Sequence, residues 1–296
     1  MKKFKEKISS LIDKNLNIFF PAPTVILLFI IVIFPIIYNI YMSLNKWRIG
    51  LGDPEFIGFQ NYFEAFADPR FWNGLKVMVY FSGLSLSLEI AIGLLIAVYL
   101  NREFKGSSFV QTIYVFPFAA TPVAIALVWR IMLNPQIGVL NYVLSLFGLP
   151  PSLWISSTST VVLSLVMVDV WKWTPMITLI VLAGLKSLPQ DPYEAAIIDG
   201  ATVTQIFTYI TLPMIRPVLI TALTLRALDN LKEFDIIYTI TQGGPRNASE
   251  TLYLYSYKTA FSFFNGGYGS ALIIIVFLIV LLFNVIMNKV RYRVEI

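Results

Sequence analysis

The chain has 296 residues, of which 57% are hydrophobic and only 13% are charged, with a formal net charge of +5. Because a soluble domain is about a quarter charged, this composition excludes an ordinary globular protein and predicts a chain that lipid covers in part. The sequence has no cysteine and no histidine, which excludes disulfides, thiolate or imidazole metal sites and Ser-His-Asp catalysis.

Residues 1–20 form a basic segment ahead of the first apolar run. Its apolar side chains Phe4, Ile8, Leu11 and Ile12 share one helical face. A basic amphipathic segment of this kind is able to lie on the anionic surface of a membrane. A disordered basic tail explains the same composition equally well, and both interpretations stay open.

Six apolar runs follow, and each is long enough to cross about 30 Å of hydrocarbon as a helix, which takes roughly 20 residues. They are Pro21–Leu44, Leu75–Leu100, Phe109–Leu133, Thr160–Leu185, Pro217–Thr241 and Tyr268–Asn288. We therefore predict an all-α, polytopic membrane protein. Residues 21–296 are expected to form one domain of six transmembrane helices.

Lysine and arginine are unevenly distributed between the two sets of loops. The side that holds both termini carries twelve of them, against six on the opposite side. Since cytoplasmic loops carry an excess of these residues, both termini are predicted to lie in the cytoplasm.

The loop at residues 187–213 contains two predicted helix starts. Asp191 is expected to cap a short helix, with Glu194 reaching back to complete a capping box. Gly200 is suited to end that helix, because glycine adopts the left-handed turn at a helix C-terminus without strain. A second capping box, Thr202–Gln205, then starts a helix that runs into the fifth span.

The predicted short helix has side chains suited to contact another protein. Ala195 and Ala196 make one flank slim, while Tyr193, Ile197 and Ile198 supply an apolar surface. A short exposed helix of this kind fits the groove of a partner. The alternative is an ordinary connector packed on its own helices, and the residues alone do not choose between the two.

The same loop carries a spaced motif. Glu194-Ala195-Ala196 is followed after three residues by Gly200, after nine more by Ile210, and after one more by Leu212-Pro213. This pattern resembles the EAA loop of bacterial ABC-importer permeases. In that family the loop forms a coupling helix held in a cleft of the ATPase subunit. The resemblance assigns this contact to Glu194, Ala195, Ala196, Asp199 and Gly200.

Three other stretches, Trp171–Pro175, Phe234-Asp235 and Thr241–Pro245, resemble the maltose-type carbohydrate permeases of that family. The likeness extends from the first span to the last. It implies the type I ABC-importer permease (MetI-like) architecture in a bacterial cytoplasmic (inner) membrane. The chain lacks the extra N-terminal spans and the large outer domain of the maltose permease, so regulation through those parts is not expected.

Eight ionisable side chains fall inside the predicted spans. They are Glu89, Arg130, Asp169, Lys172, Arg226, Asp229, Lys232 and Glu233. Each one left unpaired at the centre of a bilayer costs at least about 2.5–3.5 kcal/mol. Such residues either line a water-filled pathway or form ion pairs that hold helices together, and both interpretations stay open.

The fifth span places polar residues at three- and four-residue spacing. Arg226, Asp229, Asn230 and Glu233 are therefore predicted to share one helical face. Asp229 and Glu233 lie one turn apart and need a nearby cation, for which Arg226 and Lys172 are the candidates. A polar face inside the membrane marks a candidate pathway.

The fourth span adds aromatic side chains around Pro175, which is expected to interrupt the helix hydrogen bonds. Aromatic rings cover the apolar C–H faces of sugars, and charged groups bond to their hydroxyls. The resemblance to the maltose-type permeases places sugar contacts at Lys172, Trp173, Met176, Arg226, Asp229, Asn230 and Glu233. These positions are more charged than in the maltose permease, so the resemblance does not identify the sugar.

The chain contains no GxxxxGK[ST] phosphate-binding motif. ATP and Mg²⁺ are therefore expected in separate ATPase subunits, and this chain is expected to be no enzyme and to hold no cofactor or metal. The resemblance implies alternating access for a sugar or oligosaccharide delivered by an extracytoplasmic binding protein. The expected partners are a second homologous permease in a heterodimer, two ABC ATPases and the lipid membrane, with no nucleic acid.

Two other functions fit parts of the pattern. An ion-coupled secondary carrier would use Glu89 or Asp169 as its ion site, although the internal repeats of many such carriers are not seen here. A non-transporting membrane scaffold would use the loop to bind a partner, but it has no need of charges within the membrane. An assay of ATPase-dependent transport separates the secondary carrier from an importer.

Overall fold

A computed structural model describes residues 20–102 and 104–295. Most of the predicted basic segment, with its apolar helical face, lies outside the described residues. The chain divides into two compact units, one of residues 1–65 with 259–274 and one of residues 66–258 with 275–296.

The first unit combines an apolar helix with a small hairpin. Helix α1, Ala22–Ser43, includes a π-helical turn at Phe29–Ile33. Strands β1, Asn45–Arg48, and β2, Leu51–Phe56, then pair antiparallel, with Asn45 opposite Phe56. The side-chain amide of Asn61 donates to the carbonyls of Ser43 (2.8 Å) and Asn45 (2.9 Å), which fixes the start of the hairpin.

The remaining helices follow in chain order. They are α2 Gln60–Ala67, α3 Pro69–Leu100, α4 Ser107–Ala119, α5 Pro122–Met132, α6 Val139–Leu146, α7 Val161–Lys186, α8 Asp191–Ile198, α9 Val203–Asn230, α10 Asp235–Thr241, α11 Leu252–Tyr257 and α12 Gly266–Glu295. A 3₁₀ turn lies at Trp154–Ser156 and further π-helical turns lie at Phe207–Thr211 and Lys258–Ser262. The predicted all-α class is confirmed, with the short hairpin as an addition.

Five of the described helices are long and apolar enough to cross a membrane, and a bent pair of helices raises the number to six. The six predicted spans correspond to α1, α3, the pair α4 and α5, α7, α9 and α12. Two of the predictions need correction, because the third and fifth spans are not single helices with the predicted limits.

The third predicted span, Phe109–Leu133, is broken. Helices α4 and α5 meet at an angle of 92°. Thr121 stands directly before Pro122, and the proline ring disfavours the helical conformation of the residue that precedes it. Thr121 accordingly has φ −59° and ψ 130°, outside the helical region.

The fifth predicted span, Pro217–Thr241, is displaced along the chain. Helix α9 already begins at Val203 and ends at Asn230, and α10 is a separate helix. The Thr202 capping box starts α9 ahead of the apolar run. Beyond α9, a carboxylate oxygen of Glu233 accepts a hydrogen bond from the Ile236 amide at 3.1 Å, which stabilises a new helix start.

Helices α3 and α7 form the central packing contact of the second unit. A Cβ atom on Gly93 would lie 2.8 Å from the Ile177 side chain, so glycine permits the close approach of the two helices. Helix α7 continues through Pro175, contrary to the expectation of an interruption there. The packing of α7 against α3 holds together a helix that proline weakens.

Candidate functional site

A fully buried arginine joins three of the spanning helices. Arg226 of α9 donates from Nε to Glu89 of α3 at 2.9 Å and from Nη2 to the second Glu89 oxygen at 3.1 Å. The same Nη2 lies 2.8 Å from both carboxylate oxygens of Asp169 in α7. All three side chains are 0% exposed. The burial of these charges is tolerable only because each carboxylate faces the guanidinium directly.

Asn230 extends this cluster by one helical turn. Its side-chain amide donates to an Asp169 oxygen at 2.8 Å, and the residue is buried. Asp169 thus receives hydrogen bonds from two residues of α9. The contact fixes the rotation of α9 against α7 at this depth.

The indole ring of Trp173 contacts two cations, one of which belongs to the cluster. The Arg226 guanidinium lies 4.6 Å from the Trp173 ring centroid, and the Lys172 ammonium lies 4.4 Å from it. Phe118 of α4 meets the same ring edge-on at 5.6 Å. Cation–π attraction stabilises charges of this kind where water is scarce.

Lys172 also reaches the break in the third span. Its ammonium donates to the Ala120 carbonyl at 3.3 Å. Ala120 immediately follows α4, where the carbonyls at the end of the helix lack intrahelical partners. A cation there also interacts favourably with the negative end of the helix dipole.

Several buried polar atoms around the cluster have no hydrogen-bond partner among the described residues. They are Arg226 Nη1, Asn230 Oδ1, Trp173 Nε1, Ser82 Oγ and Ser85 Oγ. Ser82 and Ser85 lie on the face of α3 that carries Glu89, at three- and four-residue spacing. Since buried polar groups are normally paired with protein or water, these donors and acceptors are available to water or to a hydroxyl-bearing ligand.

The structure brings together Lys172, Trp173, Arg226 and Asn230 of the predicted sugar-contacting residues. Met176 is partly buried one turn further along α7. The predicted shared face is wrong for Asp229, whose side chain is 57% exposed and pairs with Lys232 at 3.4 Å instead of with Arg226.

The geometry of the helix explains this separation. At 3.6 residues per turn, the third and fourth residues after Arg226 lie roughly 100° apart, on opposite sides of it. The fourth, Asn230, turns toward α7, and the third, Asp229, turns away. Glu233 lies beyond the end of α9, where its carboxylate accepts a hydrogen bond from the Ile236 amide in the first turn of α10. Its predicted place on the same helical face is therefore also wrong.

The ion-pair interpretation is confirmed for Arg226, with Glu89 and Asp169 as its partners. The sequence shows opposite charges in three different spans, which is a signal for such pairing, but spacing within one helix does not identify the partners. Ser82 and Ser85 were missed, because two serines in an apolar run carry no distinctive pattern.

The second candidate region is the helix α8 with the turn that follows it. The predicted capping box at Asp191 is wrong: the N-cap is Gln190, without a side-chain hydrogen bond, and Asp191 lies in the first turn. The left-handed turn at Gly200 is confirmed, with φ +75°. The second box is also confirmed, with Gln205 N donating to Thr202 Oγ1 at 3.3 Å and Thr202 N donating to Gln205 Oε1 at 2.8 Å.

The apolar residues of α8 divide between two directions. Ile197 and Ile198 are exposed, the latter by 85%, and so is Val203 beyond the turn. Tyr193 instead points inward, where its hydroxyl donates to Thr211 Oγ1 of α9 at 3.2 Å. Glu194, Ala195 and Asp199 are exposed and Ala196 is half-buried, so the outer flank of the helix is open to a partner.

Comparison with known proteins identifies the family. Residues 89–296 match the family described as "Binding-protein-dependent transport system inner membrane component". The chain belongs to this family. It is therefore a membrane-embedded permease subunit of an ABC importer, and neither the secondary carrier nor the scaffold is favoured.

Relatives cover nearly the whole permease. It is 40% identical over 277 residues, 92% of each chain, to the trehalose/maltose transport system permease protein MalF of Thermococcus litoralis. It is 32% identical to the trehalose transport system permease protein SugA of Mycobacterium tuberculosis H37Rv, over 93% of this chain and 88% of that one.

A solved structure shows the same fold. One chain of a bacterial ABC transporter that imports the acidic polysaccharide alginate superimposes on the permease with a TM-score of 0.83. The two are 25% identical, and the match covers 97% of this chain and 99% of that one. The MetI-like architecture implied by the sequence motifs is therefore confirmed.

Proposed function

We propose that this permease forms one half of a channel that imports a sugar or oligosaccharide by alternating access. The observation that carries the proposal is the continuity of α9. This helix begins at the turn after α8 and reaches the buried charge cluster near its other end.

The length of α9 makes it suited to transmit movement. Val203–Asn230 comprises 28 residues, or about 42 Å at the rise of an α-helix. Thr202 caps the end beside Gly200, and Arg226 and Asn230 lie near the end that contacts α3 and α7. The Tyr193 hydroxyl bond to Thr211 attaches α8 to the first turns of the same helix. A displacement of α8 therefore reaches the cluster through one helix.

The polar groups around Trp173 support a sugar as the cargo. The buried donors and acceptors that lack a partner at this depth match hydroxyl groups, and the indole ring matches the C–H face of a pyranose. The sugar contacts that we propose are Lys172, Trp173, Met176, Arg226, Asp229, Asn230 and Glu233. Relatives named for trehalose and maltose transport agree with a neutral sugar.

The proposed assembly contains four kinds of protein. A second homologous permease completes the channel as a heterodimer, and an extracytoplasmic sugar-binding protein delivers the cargo. Two ABC ATPases hold ATP and Mg²⁺ and receive Glu194, Ala195, Ala196, Asp199 and Gly200. The exposed isoleucines of α8 support this contact, because apolar side chains on a short exposed helix favour a partner's groove.

A pair of substitutions at Gly200 tests the coupling role. A Cβ atom there would meet nothing within 4 Å, so only the positive φ restricts the residue. Gly200→Val is expected to distort the turn and to reduce uptake at least tenfold, since a left-handed residue with a branched side chain costs roughly 1–2 kcal/mol or more. Gly200→Asn is the matched control, because asparagine tolerates this conformation.

Three measurements on the assembled complex complete this test: uptake, ATPase activity and the amount of bound ATPase subunit. A valine variant that transports and hydrolyses ATP like the asparagine variant contradicts the coupling role of the turn. Loss of transport with intact assembly supports it.

The orientation of the chain is tested separately. We propose that both termini are cytoplasmic, on the strength of the twelve-to-six distribution of basic residues. Because the chain has no cysteine, Ile137→Cys and Ser187→Cys, both at exposed positions, give a clean labelling background. A membrane-impermeant maleimide added to intact cells is expected to label position 137 only. Labelling of position 187 alone reverses the proposed topology.

A further inference from the structure

A polar cavity of about 440 Å³ lies where three membrane helices end. The end of α3, the start of α4, the end of α7 and the residue before α8 form its walls. Its polar lining residues are Asn101, Arg102, Ser107, Gln111, Lys186 and Gln190, and two buried leucines complete it. None of these residues belongs to the charge cluster or to the proposed ATPase contact.

Among the described residues that line it, the cavity has two cations and no acid. Arg102 and Lys186 are its charged residues, and neither takes part in any of the salt bridges found among residues 20–102 and 104–295. Asp191 follows Gln190 in the chain but does not line the cavity. Two cations that share one cavity repel each other, and an anion between them removes that repulsion.

The uncharged lining also consists largely of hydrogen-bond donors. Asn101, Gln111 and Gln190 carry side-chain amides, and Ser107 carries a hydroxyl. Ser107 is also the first residue of α4, whose N-cap Gly106 provides no side-chain acceptor. The Ser107 amide already donates to the Phe104 carbonyl. The Ser108 and Phe109 amides are therefore the further donors of that first turn for an anion held by the two cations.

The surroundings of the cavity are apolar and exposed. Leu95 and Tyr99 of α3, and Phe109 and Ile113 of α4, are exposed within about two turns of it. These helices belong to the membrane-spanning set, so lipid chains are expected to cover those side chains. The cavity thus lies at the edge of the lipid-covered surface, at the depth of a phospholipid headgroup.

We propose that this cavity binds the phosphate group of an anionic membrane phospholipid. Arg102 and Lys186 contact the phosphate oxygens, the neighbouring amides bond to the remaining oxygens, and the acyl chains lie along the exposed apolar residues of α3 and α4. This lipid site is independent of the cargo and of the ATPase contact.

Native mass spectrometry of the assembled complex in detergent tests the proposal, with dioleoylphosphatidylglycerol as the probe and dioleoylphosphatidylcholine as the comparison lipid. Each basic residue near an anionic lipid contributes a factor of about five in binding. We therefore expect Arg102→Gln with Lys186→Gln to weaken phosphatidylglycerol binding about 25-fold. Each single change should weaken it about fivefold, and phosphatidylcholine should bind weakly throughout.

The matched control is Lys105→Gln with Arg216→Gln, which removes the same charge from exposed positions outside the cavity. Its phosphatidylglycerol binding is expected to stay within about twofold of the unchanged complex, because Lys105 and Arg216 do not line the cavity. Equal losses in the two double variants contradict the site and indicate general attraction to basic loops.

Two further outcomes overturn the proposal. Displacement of the lipid by millimolar inorganic phosphate assigns the cavity to a soluble anion. The second outcome concerns the double variant Arg102→Gln with Lys186→Gln. If this variant keeps its lipid binding but loses the ATPase subunit, the cavity belongs to a protein contact. The four residues changed are all exposed, so intact assembly of the control variant verifies that charge removal itself does not unfold the permease.

Discussion

Two arginine–carboxylate clusters in the second unit have similar geometry and opposite composition. Arg226 lies between the carboxylates of Glu89 and Asp169, and all three side chains are fully buried. In the other cluster Glu250 is the central group, with Arg70 at 2.6 Å and Lys258 at 2.9 Å. Its carboxylate is 1% exposed, but the two cations are 28% and 21% exposed.

The second cluster anchors a loop. Lys258 donates to the Gln242 carbonyl at 2.9 Å as well as to Glu250, and the Asn73 side chain donates to the Asn247 carbonyl at 2.9 Å. The loop between α10 and α11 is therefore held on the first turns of α3. Since its cations reach solvent, water is able to compensate for a lost partner.

None of the three side chains of the Arg226 cluster is exposed to bulk solvent. Two buried carboxylates depend on one guanidinium, and several of the neighbouring polar atoms lack partners. The same bidentate pairing thus serves as a loop anchor where water reaches it. Where it is dry and surrounded by open hydrogen-bonding groups, it is also suited to a polar cargo.

The largest effect is expected from Arg226→Met. It leaves the buried carboxylates of Glu89 and Asp169 without a cation, at a cost of about 3–5 kcal/mol. This loss of folding free energy should lower the thermal stability and the yield of the purified complex. The neutral triple variant Arg226→Met, Glu89→Gln and Asp169→Asn should recover most of the stability. Full recovery of uptake in that triple variant contradicts a sugar contact by Arg226.

A smaller effect is expected from Glu250→Gln. The change keeps the shape of the side chain but removes the charge between Arg70 and Lys258, for a loss of about 2 kcal/mol. Glu64→Gln, at an exposed position, is the control. Uptake should fall only in proportion to stability; a transport defect at full stability would give the loop a direct part in transport.

Asn230→Ala should affect function more than stability. It removes one charge-assisted hydrogen bond to Asp169, worth about 1.5 kcal/mol, while Arg226 still pairs with that carboxylate. Uptake is expected to fall severalfold with assembly and binding-protein docking unchanged. If uptake per assembled complex stays normal, the open Oδ1 atom of Asn230 has no role in the pathway.

The smallest change in stability is expected from Asp229→Ala. Its ion pair with Lys232 is half exposed and contributes less than about 1 kcal/mol. Lys232→Ala is the matched control for loss of that pair. We expect uptake to fall in Asp229→Ala alone, because the second oxygen of this exposed carboxylate is able to bond a sugar hydroxyl. Equal uptake in both variants removes Asp229 from the proposed sugar contacts.

The local patterns of the chain were sufficient for much of the fold. Apolar runs of span length indicate where the membrane helices lie, and the Thr202–Gln205 box and Gly200 identify the turn ahead of α9. These features depend on residues close together in sequence, since capping and helix termination are short-range interactions. The motif around Glu194 was also enough to indicate the family.

Tertiary structure decided the parts that depend on distant residues. The bend at Thr121 and the early start of α9 changed two spans that hydropathy alone treats as uniform apolar runs. Asn230 lies on the side of α9 that faces α7, whereas Asp229 lies on the exposed side, although both residues fit the spacing of one helical face.

The sequence by itself determined that this protein crosses a membrane and where its capped turn lies. Only the tertiary structure decided that Arg226 pairs with Glu89, 137 residues away, and with Asp169, 57 residues away. The physical reason is the distance along the chain over which each kind of interaction acts. Hydropathy and capping act within a few turns of one helix, whereas the partner of a buried charge is chosen by the packing of separate helices.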